Sequence, residues 1–67
     1  MKVRAAIRLV QRDGWELIKG RSGTSHRHFR HPTRPGTVTI PGHLSDDLAP
    51  GTWLNIQREA GWRGRGG

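Results

Sequence analysis

The absence of cysteine is the feature that most constrains how this chain can fold. The chain has 67 residues and no cysteine, which excludes disulfides, cysteine-based zinc sites and thiol nucleophiles. A chain of this length has room for one domain, whose thin core contributes only about 3–5 kcal/mol of stability. We therefore expect a single small domain that would benefit from a stabilising partner.

The chain is also strongly basic. It carries 12 Lys and Arg against 5 Asp and Glu, a formal net charge of +7 with histidine neutral. This excess favours an anionic partner, which could be RNA, DNA, an acidic membrane or an acidic protein. Most of the cations are arginine, the side chain best suited to bidentate phosphate contacts.

The middle of the chain contains no acidic residues. None occurs in the interval 17–45, so we predict that this interval forms the positive face. Two-metal nucleases need several carboxylate ligands, and paired-carboxylate glycosidases need two placed acids. Neither set is available in this interval unless the distant Asp46–Asp47 pair folds back towards it. The acidic residues are Asp13, Glu16, Asp46, Asp47 and Glu59.

The first ten residues are basic and apolar, as in a signal peptide, but arginines interrupt the apolar run. No stretch approaches the length of a membrane span. The lack of cysteine fits a reducing compartment. We expect a soluble cytoplasmic protein with no membrane partner.

A helix is predicted over residues 2–13, where apolar residues recur at helical spacing and Gly14 follows as a stop. An arginine at every fourth position forms a second stripe beside the apolar one. We interpret this basic stripe as a solvated face in preference to a secondary phosphate contact. The apolar stripe is Val3, Ala6, Ile7 and Val10, and the basic stripe is Arg4, Arg8 and Arg12.

Three short strands and a second helix follow. The strands are predicted over residues 15–19, 25–31 and 37–40, with turns between them that contain glycine and proline. A loop over 42–49 leads to a helix over 50–60, which buries a stripe of Trp53, Ile56 and Ala60.

The predicted fold class is α+β, in the order α-β-β-β-α, with a three-stranded antiparallel sheet. Both helices must cover one face of this sheet, because nothing else can bury their apolar stripes. The other face then stays open. We place the domain at residues 1–62 and a flexible Gly/Arg tail at 63–67.

Side chains alternate between the two faces of a strand, so the second strand can be assigned by its one large apolar residue. Phe29 should point to the helices. His26, His28 and Arg30 then share the open face, whereas Ser25 falls on the Phe29 side.

The histidines allow four interpretations: a metal site, acid–base chemistry on RNA, passive contact with phosphate or base, and plain surface. We disfavour a metal, because neighbouring positions on one strand rarely converge on an ion and no carboxylate lies nearby. The residue chemistry leaves acid–base catalysis and passive contact about equally supported. The histidines are His26, His28, His31 and His43.

Six short motifs, in order along the chain, resemble the HicA toxin family, the small bacterial mRNA interferases paired with HicB antitoxins. They span the chain from the first helix to about Trp62. The motifs are Asp13-Gly14-Trp15, Gly23-Thr24-Ser25-His26, Phe29-Arg30-His31-Pro32, Val38-Thr39-Ile40-Pro41-Gly42-His43, Leu48-Ala49-Pro50-Gly51-Thr52 and Ile56-Gln57-Arg58-Glu59-Ala60-Gly61.

The resemblance implies a fold similar to a double-stranded-RNA-binding domain. It also implies metal-independent cleavage of mRNA without a cofactor, and inhibition by a HicB-like antitoxin. It places the family's catalytic histidine at His26, to which we add His28 as an assisting group. For RNA binding we predict Ser25 and the basic residues of the middle interval, which are Lys19, Arg21, Arg27, Arg30 and Arg34.

Two other functions fit the same fold. A non-catalytic RNA-binding module would need the basic face but no particular histidine. An inactive relative could serve only to bind a partner protein, although the intact Gly-x-Ser-His motif at 23–26 argues against that.

Overall fold

The computed structural model describes residues 1–19 and 26–62, and it confirms the predicted α+β fold with element order α-β-β-β-α. The sheet is antiparallel and three-stranded, with the second strand in the centre. The elements are α1 (Val3–Arg12), β1 (Glu16–Leu17), β2 (His26–Arg30), β3 (Val38–Pro41) and α2 (Pro50–Glu59).

One face of the sheet carries the core. Phe29 pairs with Val38 across β2 and β3, and Ile40 lies two residues further along β3 on the same side. All three side chains are fully buried, and both helices pack on them, as predicted. From the two predicted helical stripes, Val3, Ala6, Val10, Ile56 and Ala60 are buried, and Ile7 and Trp53 pack at the edge of the core.

The end of α1 explains why β1 begins at Glu16 and not at Trp15, where the predicted strand over 15–19 starts. The backbone N–H of Trp15 donates to the carbonyl of Val10 at 3.0 Å, so it completes the helix end and is not available to the sheet. The Trp15 side chain enters the core. Gly14 makes this turn at φ +100°, and a Cβ there would lie 2.6 Å from Nε2 of His31. Glycine is therefore required at this position.

The loop over 42–49 caps the start of α1. The first N–H groups of a helix have no partner within the helix. Here the N–H of Val3 donates to the carbonyl of Asp46 at 2.8 Å, and the N–H of Arg4 donates to the carbonyl of Leu44 at 3.1 Å. The loop therefore completes the hydrogen bonding of a helix that has no side-chain cap at Lys2.

The outer edge of β3 is protected by α2. The N–H of Thr39 donates to a carboxylate oxygen of Glu59 at 3.0 Å. An edge strand otherwise offers its free N–H groups to other chains. Pro41, which we predicted would end this strand, instead pairs with His26 as its last residue.

Several predictions lie outside the described residues. These are the turn over 20–24, which includes Arg21, the position of Ser25, and the tail over 63–67. The boundary of the domain at residue 62 stays a prediction.

Candidate functional site

The sheet face turned away from the helices carries a row of three polar side chains. Phe29 is buried under the helices, so the alternating residues His26, His28 and Arg30 lie on the opposite side. Residues two apart on a strand are separated by about 7 Å between Cα atoms. The row therefore places two imidazoles and a guanidinium within reach of a single extended anion.

The neighbouring strand fixes one of the two imidazoles. Thr39 pairs with His28 across β2 and β3, and its Oγ1 lies 3.0 Å from Nδ1 of His28. The His28 side chain is half-buried, whereas His26, opposite Pro41 at the start of β2, is exposed. The two histidines thus share a face but differ in how exposed they are.

The open face is not free of carboxylates, contrary to what the charge distribution indicates. Glu16 on β1 pairs with Arg30 on β2, so both side chains project from the same face. Both are exposed. The positive charge is therefore reduced at the Arg30 end of the row and greater at the His26 end.

Two of the predicted RNA-binding arginines contact the protein itself. Arg27 lies on the Phe29 side of β2, and its Nη1 donates to the carbonyl of Gly42 at 3.0 Å. Arg34 forms an ion pair with Asp13 and also donates to the carbonyl of Ala60 at 3.3 Å. Lys19 is exposed just after β1. An RNA contact from any of these residues stays a prediction.

His31 belongs to the scaffold rather than to the open face. Its Nε2–H donates to the carbonyl of Asp13 at 2.8 Å, and its Nδ1 accepts from the N–H of Thr33 at 3.1 Å. A carbonyl only accepts and a backbone N–H only donates, so Nε2 is the donor and Nδ1 the acceptor in these two bonds. The ring also packs edge-on against Trp15, with centroids 5.2 Å apart.

The carboxylate of Asp13 joins separate parts of the chain. Its Oδ2 accepts from the indole N–H of Trp62 at 2.8 Å, from that of Trp15 at 3.2 Å, and from the guanidinium of Arg34. The hydrogen bond from Trp62 is the largest cause that lowers the pKa of Asp13, followed by the charge of Arg34 and the Trp15 bond, while burial acts in the opposite direction. Asp13 is therefore a charged structural anchor.

No metal centre is found in the described part of the chain. Among residues 1–19 and 26–62, no three His, Asp or Glu side chains are grouped so that they could hold a metal ion. The same ranges contain no helix that is long and apolar enough to span a bilayer.

Comparison with known protein families identifies the family of this chain. The family described as HicA toxin of bacterial toxin-antitoxin matches residues 3–62. The chain belongs to the HicA toxin family. No curated protein matches the chain. Membership in the HicA family identifies the chain as the toxin of a bacterial toxin–antitoxin system and implies an antitoxin partner.

Reasoning from the sequence missed Thr39 and Glu16 as members of the open face. Which side chain stands opposite His28 or Arg30 depends on strand register, and a shift of one residue would turn each neighbour to the other face. Thr39 could have been found from the alternation with the apolar Val38 and Ile40. Glu16 could likewise have been found from its place between the apolar Trp15 and Leu17, whereas its pairing with Arg30 depends on the register.

Proposed function

We propose that this HicA-family toxin is a ribonuclease that cleaves mRNA by general acid–base catalysis at His26, without a metal ion. Family membership supports a toxin, and the register of β2 supports the choice of residue. The observation that carries the proposal is the row of His26, His28 and Arg30 on one open face.

In the proposed reaction the 2′-hydroxyl oxygen attacks the adjacent phosphorus while a base removes its proton. The bond between phosphorus and the 5′-oxygen breaks, and an acid donates a proton to that oxygen. The products are a 2′,3′-cyclic phosphate and a 5′-hydroxyl, so no water or oxidant is consumed. Imidazole suits both proton transfers near neutral pH.

His26 and His28 can act on the two oxygens of one phosphodiester because they lie on the same side of β2. Thr39 holds the ring of His28, which suits an assisting group that must keep its orientation. Arg30 would stabilise the negative charge that accumulates on the phosphate oxygens in the transition state.

The proposal is tested with purified protein in excess EDTA. We expect cleavage of a single-stranded RNA and no cleavage of its 2′-O-methyl copy, because the methyl group blocks the attacking oxygen while sequence and charge stay the same. The measurement is the appearance of fragments that end in a 2′,3′-cyclic phosphate.

Three other results would contradict this proposal. Loss of cleavage in EDTA with recovery on adding Mg²⁺ would show a metal-dependent enzyme. Cleavage of the 2′-O-methyl strand would show that water is the nucleophile. Binding of both strands without any cleavage would favour the non-catalytic RNA-binding module.

We also propose that an acidic, HicB-like antitoxin inhibits the toxin in the cytoplasm by covering the open face. The family implies an antitoxin, and the net charge of +7 suits an acidic partner. Complementary charge would speed association and make it sensitive to salt. A partner on this face would exclude RNA from His26 without any change in the fold.

Histidine modification tests this occlusion. Diethyl pyrocarbonate should modify His26 in the free toxin and fail to do so in the complex with the acidic partner, as read by mass spectrometry. His43 is exposed in the loop over 42–49 and provides a reference within the same chain. If His26 stays reactive in a complex that no longer cleaves RNA, inhibition does not act by covering this face.

A further inference from the structure

We propose that the outer face of α1 is a second RNA-binding surface, which holds the phosphate backbone through Arg4, Arg8 and Arg12. The inference rests on the proposed function only in taking RNA as the ligand. It concerns a different part of the molecule from the open face of the sheet, and it assigns a role to a stripe that we first interpreted as a solvated face.

The position of the stripe follows from helix geometry. Each residue advances an α-helix by about 100°, so every fourth residue shifts by only about 40° and rises about 6 Å along the axis. Val3, Ala6 and Val10 are buried on the core side of α1. The arginines therefore form an evenly spaced row on the side that faces away from the core, and all three are exposed: Arg4, Arg8 and Arg12.

No ion pair among the described residues compensates the positive charge of this row. Within residues 1–19 and 26–62, the only ion pairs join Lys2 to Asp47 and Arg34 to Asp13, so none involves the stripe. Helix α1 contains no acidic residue, and like charges four apart repel each other. Arg4 also stands in the first turn, where the helix dipole disfavours a cation.

In the described part of the chain, none of the acidic residues forms an ion pair with the stripe, and four of the five have other contacts within the domain. Their contacts hold caps, edges and turns in place. Asp13 binds Arg34, Glu16 faces Arg30, Asp46 accepts from the N–H of His43, Asp47 pairs with Lys2, and Glu59 accepts from the N–H of Thr39.

The chemistry of the row fits a phosphate backbone better than a protein surface. Protein interfaces centre on buried apolar or aromatic side chains and are depleted of charge at the middle. Leu9, the large apolar side chain exposed on α1, lies about 100° around the helix from Arg8 and thus at the border of the row. Evenly spaced arginines without an apolar centre match the sequence-independent binding of nucleic acid.

The two surfaces lie on opposite sides of the sheet, because α1 packs on the Phe29 face and His26 lies on the other. A long RNA could therefore be held by α1 while another of its segments is cleaved at His26. The α1 surface would favour long RNA over short oligonucleotides.

The test compares two double variants that each remove two positive charges. Arg8→Gln/Arg12→Gln changes the stripe, and Lys2→Gln/Arg58→Gln is the matched control on other exposed positions. Binding to fluorescent single-stranded 2′-O-methyl RNA is measured from about 50 to 200 mM salt. The logarithm of the binding constant falls linearly with the logarithm of the salt concentration, and each lost phosphate contact should make this slope shallower by about 0.7. We expect the stripe variant to lose about 1.4 in slope and at least tenfold in affinity, with little change in the control.

A conservative pair guards against a folding artefact. Arg8→Lys/Arg12→Lys keeps the charge and should retain most of the wild-type slope. Equal slopes for the stripe variant and its control would overturn the proposal. So would a stripe variant that binds RNA normally but no longer binds the acidic partner, because α1 would then be a protein contact. The readout is binding, so a chain that binds RNA through α1 without cutting it would contradict the nuclease and not this inference.

Discussion

Replacing His26 with alanine is expected to slow RNA cleavage by about 10²–10⁴-fold, the usual contribution of a general acid or base. The domain should stay folded, because the His26 side chain is exposed and takes no part in the core. Alanine keeps the backbone N–H and C=O that pair His26 with Pro41. The measurements are the cleavage rate in EDTA and the thermal unfolding of both proteins.

The chain provides a matched control for this substitution. His43 is also exposed but lies in the loop after β3, so His43→Ala should cleave RNA at the wild-type rate. His31 would be a poor control, because its ring bonds to Asp13 and Thr33 and its loss would disturb the scaffold. A folded His26→Ala protein that cleaves as fast as wild type would show that the catalytic histidine has been misassigned.

The features that the sequence predicted correctly depend on local patterns. The stripe of Val3, Ala6 and Val10 repeats at helical spacing, and α1 begins and ends within one residue of the prediction. A single apolar residue, Phe29, was enough to orient β2, because alternation on a strand leaves only two choices. The open face that carries His26 could therefore be predicted before any contact was known.

The features that could not be predicted depend on contacts between distant residues. Arg34 lies 21 residues from Asp13 in sequence and forms an ion pair with it. Trp62 lies 49 residues from Asp13 and donates to the same oxygen. No periodicity connects such positions, so the structural role of Asp13 emerges only from the packed chain.

Because of this role, Asp13→Ala should lower the free energy of unfolding by about 3 kcal/mol. Hydrogen bonds to a charged group contribute about 1.5–3 kcal/mol each, and their contributions do not add fully. The substitution leaves the indole N–H groups of Trp15 and Trp62 and the guanidinium of Arg34 without their shared acceptor. For a domain of this size the midpoint of thermal unfolding should fall by about 12–24 °C.

The matched control is Asp47→Ala, which removes an equally charged carboxylate from an exposed ion pair with Lys2. Exposed pairs contribute about 0–1 kcal/mol, so this variant should stay close to wild type. If Asp13→Ala is too unstable to measure, Asp13→Asn can replace it, because it removes the charge and keeps the shape of the side chain. Its free energy of unfolding should lie between those of Asp13→Ala and Asp47→Ala.

The difference in the free energy of unfolding between wild type and Asp13→Ala should decrease at low pH. The pKa of Asp13 is lowered in the folded protein, first by the Trp62 hydrogen bond, so the unfolded chain binds a proton more readily than the folded one. The contribution of Asp13 is then complete above its ordinary pKa of about 3.9 and is lost as pH falls through the lower folded value. Urea unfolding of both proteins, at neutral pH and at pH values below about 3.9, measures this difference under the two conditions. A gap that stays constant across this range would mean that the carboxylate stabilises the domain through its shape and not through its charge.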